Sequence, residues 1–119
     1  MVEDIAKELR RFASERDWEQ FHSPKNIVMA LGVEAAELME IFQWLSEEQS
    51  FSLSDEQRRQ VEEEAGDVLN YLIRLCDLLN IDLLQAARDK IKVNAEKYPV
   101  DQAKGKALKY TQLGKDDDA

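Results

Sequence analysis

Two acidic pairs, Glu34 with Glu37 and Glu64 with Asp67, recur at i, i+3 spacing on segments that read as helices. Residues three apart on a helix share a face, so each pair sets two carboxylates side by side. Oxygen-only donors of this hardness suit Mg²⁺, with Mn²⁺ as a substitute, rather than zinc, which prefers His and Cys. A Mg²⁺ ion held by a few carboxylates keeps positions open for phosphate oxygens and water. Acidic pairs are common on solvated faces, and the setting is what distinguishes these. At ~100° per residue, Ile27, Leu31, Leu38, Ile41 and Leu45 form an apolar stripe, with Glu34 inside it and Glu37 on its edge. A carboxylate facing a core is costly unless a cation meets it there. The second pair is followed on the same ridge by Tyr71, on a helix otherwise built for a core. Glu40, Glu62 and Glu63 lie close in sequence as outer partners. A di-iron bundle needs Glu-x-x-His pairs, and the single histidine, His22, lies outside any helical motif.

Complementary groups are present. Lys90, Asn94 and Lys97 fall at i, i+4, i+7 on one ridge that ends at Tyr98. Cations and an amide beside a carboxylate–metal centre suit a polyphosphate, and a solvated basic face is the plain alternative. Trp18, Phe21, His22 and Trp44 offer stacking and hydrogen bonding to a nucleobase. Alternatively, Trp18 and Phe21 form a hydrophobic clasp.

The elements that must position these groups are helical. Ile5, Leu9 and Phe12 mark an amphipathic helix from Val2 to about Arg16. Residues 17–22 are aromatic-rich and aperiodic, a loop or frayed turn. Ser23-Pro24 then opens a second helix, with Ser23 as N-cap, running to about Ser46. After a polar link, Ser54 and Gln57 form a capping box for a third helix with the stripe Val61, Ala65, Val68, Leu72, Leu75 and Leu79; Asn80 stops it. Asp82 and Gln85 restart the chain as a fourth helix that ends at Tyr98-Pro99. Beyond Val100 periodicity is weak, as in an irregular arm. No period-2 alternation, Gly-rich phosphate loop or internal repeat is visible. The expected fold is therefore all-α, a four-helix bundle with two long central helices, 24–46 and 54–79, and two shorter ones. Val28, Met29, Phe42, Leu69 and Ile73 lie off the main stripes, and self-association is the natural cover for that apolar surplus.

Composition bounds the rest. A length of 119 residues fits one small domain, expected over 1–113, with 114–119 as a mobile acidic tail. Four glycines and two prolines are too few for a turn-rich β fold. A net charge of -9 argues against a nucleic-acid binder, which needs a basic face. The one cysteine, Cys76, sits among Leu72, Ile73, Leu75 and Leu78 and reads as a buried free thiol in a reducing compartment. With no apolar signal core and no apolar run near ~20 residues, a cytoplasmic protein without a membrane partner is expected.

The ordered set of motifs resembles a known family. Glu-x-x-Glu, a spacer and Glu-x-x-Asp (Glu34, Glu37, Glu64, Asp67) are the signature of the MazG-like branch of the all-α nucleoside triphosphate pyrophosphohydrolases. R-D-W-E-Q-F-H-S-P-K-N (Arg16 to Asn26), F-Q-W (Phe42 to Trp44), D-V-L-N-Y-L (Asp67 to Leu72) and N-A-E-K-Y-P (Asn94 to Pro99) look like its small members, the dCTP pyrophosphatases and integron-associated MazG proteins. The likeness spans roughly Ile5 to Leu113. It implies Mg²⁺-dependent hydrolysis of a deoxynucleoside triphosphate, dCTP or dATP foremost, to the monophosphate and pyrophosphate, as nucleotide-pool house-cleaning. By position it implies Glu34, Glu37, Glu64 and Asp67 as catalytic metal ligands. The sequence does not say which of the four is the general base, and Glu37 is the expected choice. Lys90, Asn94, Lys97 and Tyr98 would engage phosphates or sugar. Trp18 and Trp44 would line the base pocket, with Tyr71 against the sugar, and His22 and Asn26 would also bind substrate. Vertebrate dCTP enzymes carry a histidine on the first helix where Leu9 stands here, which argues against strict cytosine selectivity. Family members are homodimers or dimer-of-dimers homotetramers with sites built between subunits. Two rival readings stay open: a non-catalytic acidic helical interaction module, and the same fold acting on phosphoribosyl-ATP or a modified nucleotide.

Overall fold

The computed structural model describes residues 2–113, in which every regular element is helical. Helices α1 (Val2–Glu15), α2 (Pro24–Phe42), α3 (Asp55–Leu78) and α4 (Leu83–Lys97) are followed by the one-turn α5 (Val100–Ala103). The expected acidic tail, 114–119, lies outside the described residues. The chain forms two compact units that divide between Ile81 and Asp82. None of the helices among the described residues is long and apolar enough to cross a membrane.

Helix ends follow local chemistry. The Ser23 hydroxyl accepts the Asn26 N–H and Pro24 takes the first helical position, where its missing N–H costs nothing. Ser54 and Gln57 complete the capping box of α3 reciprocally, and Asp82 accepts the Gln85 N–H to start α4. The left-handed Asn80 (φ 56°) follows α3, a conformation asparagine tolerates. One boundary differs from expectation: α2 stops at Phe42 rather than near Ser46. Ser46 is engaged in a turn of its own, its N–H donating to Gln49 Oε1 at 2.9 Å and its hydroxyl accepting the Gln49 N–H at 3.1 Å. A serine so occupied starts the next turn instead of prolonging the last.

In the first unit α3 packs along α2 and, over a shorter stretch, against α1. The best-buried apolar side chains are Ala6 and Ala13 of α1, Ile27 of α2, and Ile73 and Cys76 of α3. Two alanines on the inner face of α1 let its backbone come close. Because both α1 and α2 lie on α3, Ile73 is sealed at 2% exposure although it sits off the predicted stripe, whereas Leu79, on the stripe, is 47% exposed. Cys76 is free and buried, and burial pushes its thiol up. Val28, Met29, Val33 and Met39 of α2 are exposed, as are Trp44 and Phe51 beyond it.

In the second unit the segment after α4 folds back on its end. The Tyr98 and Tyr110 rings meet edge to face at 6.3 Å, and Lys97 Nζ lies 4.8 Å from the Tyr110 ring centre.

Candidate active site

Two turns of α2 and one of α3 assemble a carboxylate cluster. Glu34, Glu37 and Glu64 each offer an oxygen, all within 4.8 Å of one another. Glu34 and Glu64 are half-buried, and one oxygen of each (Oε2) is fully enclosed with no hydrogen-bond donor. Such oxygens are costly unless a proton or a cation joins them. With neither N–H nor O–H in reach, the only bond open to the pair is one through a shared proton. That bond to Glu64 is the largest cause holding the Glu34 carboxyl up at about 7, followed by burial and by the neighbouring Glu37 and Asp67. Hard oxygen donors, like charge and two orphaned buried oxygens fit a divalent cation, and the cluster can hold one.

Asp67 does not enter the tight trio. It lines a cleft of about 470 Å³ in the same unit, walled by Ile5, Glu8, Leu9 and Phe12 of α1, Trp18 and His22 of the following turn, Ile27 of α2, and Asn70, Tyr71 and Arg74 of α3. The turn that carries Trp18 is fixed locally. Asp17 takes a left-handed conformation (φ 53°), and the Trp18 N–H reaches back to the Ala13 carbonyl at 2.9 Å. This brings the Trp18 ring edge-on to Phe12 at 5.7 Å, with the Arg16 guanidinium over the Phe12 ring at 3.7 Å. Burial, then the charges of Glu34 and Asp67, push the Tyr71 hydroxyl up, so it stays a protonated donor at neutral pH. Leu9 is part of the cleft wall.

Of the residues expected to bind substrate, Trp18, His22 and Tyr71 share this cleft with Asp67. Asn26 lies outside its lining; its side-chain amide donates to the Phe21 carbonyl at 3.0 Å and pins the turn. Trp44 is 87% exposed past the end of α2. Lys90, Asn94, Lys97 and Tyr98 belong to the second unit, where Lys90 and Asn94 are exposed and Tyr98 closes α4.

The residue that sequence reading missed is Arg74. It is 8% exposed in the middle of an apolar run and lines the cleft. The available signal was a lone arginine between Ile73 and Leu75, with Asp77 one turn on.

Comparison with known proteins identifies the family. A model of the MazG-like family matches residues 29–113. The chain is 43% identical over 114 residues to dCTP pyrophosphatase 1 of Mus musculus, covering 94% of this chain and 67% of that protein. It is 40% identical over 114 residues to dCTP pyrophosphatase 1 of Homo sapiens, again covering 94% of this chain and 67% of that one. The crystal structure of a pyrophosphatase from Archaeoglobus fulgidus superposes with a TM-score of 0.77 at 41% identity, covering 82% of this chain and 91% of that one. The chain belongs to the MazG-like family, as an enzyme of the nucleoside triphosphate pyrophosphohydrolase kind.

Proposed function

We propose that this chain hydrolyses a deoxynucleoside triphosphate to the monophosphate and pyrophosphate with Mg²⁺, clearing unwanted nucleotides from the cytoplasm. The observation that carries the reading is the pair of enclosed, donorless oxygens of Glu34 and Glu64 beside Glu37. Glu34, Glu37 and Glu64 would hold the metal, with Asp67 available from the cleft side. When bound, Mg²⁺ would neutralise phosphate charge and make water a better nucleophile. The chain's own residues do the remainder. Glu37, the exposed member of the trio, takes the proton of the attacking water. The water oxygen bonds to the α-phosphorus as the bond from that phosphorus to the bridging oxygen breaks, and pyrophosphate carries away the electron pair. Trp18 and Phe12 give the base an aromatic wall. Tyr71 stands where a sugar would lie and disfavours a 2′-hydroxyl.

The names of the relatives favour dCTP as substrate, and dATP is the second candidate because Leu9 removes a polar contact from the first helix. Lys90, Asn94, Lys97 and Tyr98 keep the phosphate or sugar roles that the family likeness implies. We read residues 1–113 as one functional domain acting as a homodimer or homotetramer. The exposed α2 face of Met29, Val33 and Met39 supports self-association. Pyrophosphate release measured over dNTPs, NTPs and damaged nucleotides, with Mg²⁺ and with chelator, tests the reading. Release from a dNTP only with metal is expected; no release from any of them would overturn it. Light scattering on the eluting protein tests the assembly, and a monomer at every concentration would rule it out.

A further inference from the structure

A buried guanidinium needs partners, and those of Arg74 are specific. Its Nε donates to His22 Nδ1 at 3.2 Å, across 52 positions of sequence, and its Nη1 lies 3.5 Å from Asp77 Oδ2. Asp77 does not depend on it. Arg10 already grips that carboxylate with two bonds of 2.7 Å, from Nε and Nη2, and also reaches Glu3 at 3.0 Å. Arg74 therefore stands on an anchored anion and directs its Nε–H at the imidazole. Both Arg74 and His22 line the cleft.

The chemistry of that bond has one solution. An arginine Nε–H can only donate, so His22 Nδ1 must present its lone pair. A neutral imidazole then carries its proton on Nε2. A second proton would put a cation beside a cation. Burial and Arg74 both oppose it, while Glu19 on the same turn favours it. The other titratable groups on the cleft wall are Glu8 from α1 and, from α3, Asp67 and the protonated Tyr71.

We propose that Arg74 is a positioning residue for His22. It fixes the imidazole as the neutral Nε2–H tautomer, so that His22 meets a nucleobase as a hydrogen-bond donor and not as an acceptor. The class of base this favours carries a carbonyl oxygen or an unprotonated ring nitrogen at that edge, and an exocyclic amino group there is rejected. The nucleobase part of the inference rests on the proposed hydrolase function, whereas the tautomer part does not.

The chain has a single histidine, so its ring nitrogens give one unambiguous pair of ¹⁵N NMR signals. In the nucleotide-free wild-type protein at pH 8 we expect a neutral ring with the proton on Nε2, and a titration midpoint below the ordinary value. In Arg74→Met the two tautomers should mix and the titration midpoint should climb towards the ordinary value near ~6.5. Arg74→Lys, which can also only donate, should restore most of the wild-type tautomer ratio. Kinetically, Arg74→Met should raise KM roughly fivefold to tenfold, the size of one hydrogen bond, with kcat little changed. A wild-type ring protonated on Nδ1, or titrating at its ordinary value, overturns the proposal without any variant being made. So does an Arg74→Met protein whose tautomer and midpoint match wild type. The expected spectrum without pyrophosphate release from any nucleotide would overturn the hydrolase reading and leave the role of Arg74 intact.

Discussion

Glu34, Glu37 and Glu64 gather like charge and leave two oxygens without a donor, whereas along Arg10, Asp77, Arg74 and His22 each group meets a complementary one. Both arrangements draw on α3 and both are partly enclosed, yet they answer different needs. The cluster is unfinished as a protein-only structure, and its incompleteness is what makes it receptive to a cation. The Arg10-to-His22 chain is complete without any ligand and so fixes a side chain before a ligand arrives.

The largest expected effect breaks the cluster's chemistry without breaking its fold. Glu37→Gln should lower pyrophosphate release by at least ~10²-fold, the usual scale for a lost general base, with an unchanged circular dichroism spectrum. Wild-type rates in that variant would exclude Glu37 as the base. On the cleft side, Trp18→Ala should raise KM by roughly tenfold, within the ~1–3 kcal/mol of a stacked base, and leave kcat nearly intact.

Two smaller effects, each a few degrees of melting temperature, sharpen the contrast because their pH dependences have opposite sign. The folded-state pKa of Glu34 is raised from 4.5 to about 7, so its contribution is full below 4.5 and is lost as pH climbs through 7. The chelator-treated protein should therefore melt lower at pH 8 than at pH 5. Mg²⁺ should recover the difference, and Glu34→Gln should flatten the slope. Asp77 is displaced the other way, its hydrogen bonds from Arg10 holding it below 3.8. Its contribution is present above 3.8 and is lost as pH falls below it. Asp77→Asn should thus lower the melting temperature at neutral pH and flatten part of its acid-side decline. A common pH slope in both variants would show that the two regions are not distinct.

Local signals carried most of the fold. The Ser54–Gln57 box, the Ser23-Pro24 start and the Asp82 cap depend on neighbours within one turn, and each appears as the spacing predicts. The carboxylate trio was legible for a different reason: Glu34 sits on an apolar stripe, an anomaly visible without coordinates. Arg74 was not legible, because its meaning comes from His22 and from an aspartate already held by Arg10, 67 positions away. Nor does i, i+3 spacing say that Asp67 turns to the cleft while Glu64 joins the trio. The early end of α2 depended on which turn would claim Ser46, a competition between two local structures that periodicity does not rank.

The hydrogen bond from the Trp18 N–H to the Ala13 carbonyl has a mechanical corollary. It ties the indole-bearing turn to the end of the N-terminal helix, which also carries Leu9 and Phe12. One flank of the cavity is consequently a single stiff piece. A movement of that helix would carry Trp18 and Phe12 with it, so their edge-to-face contact would be kept.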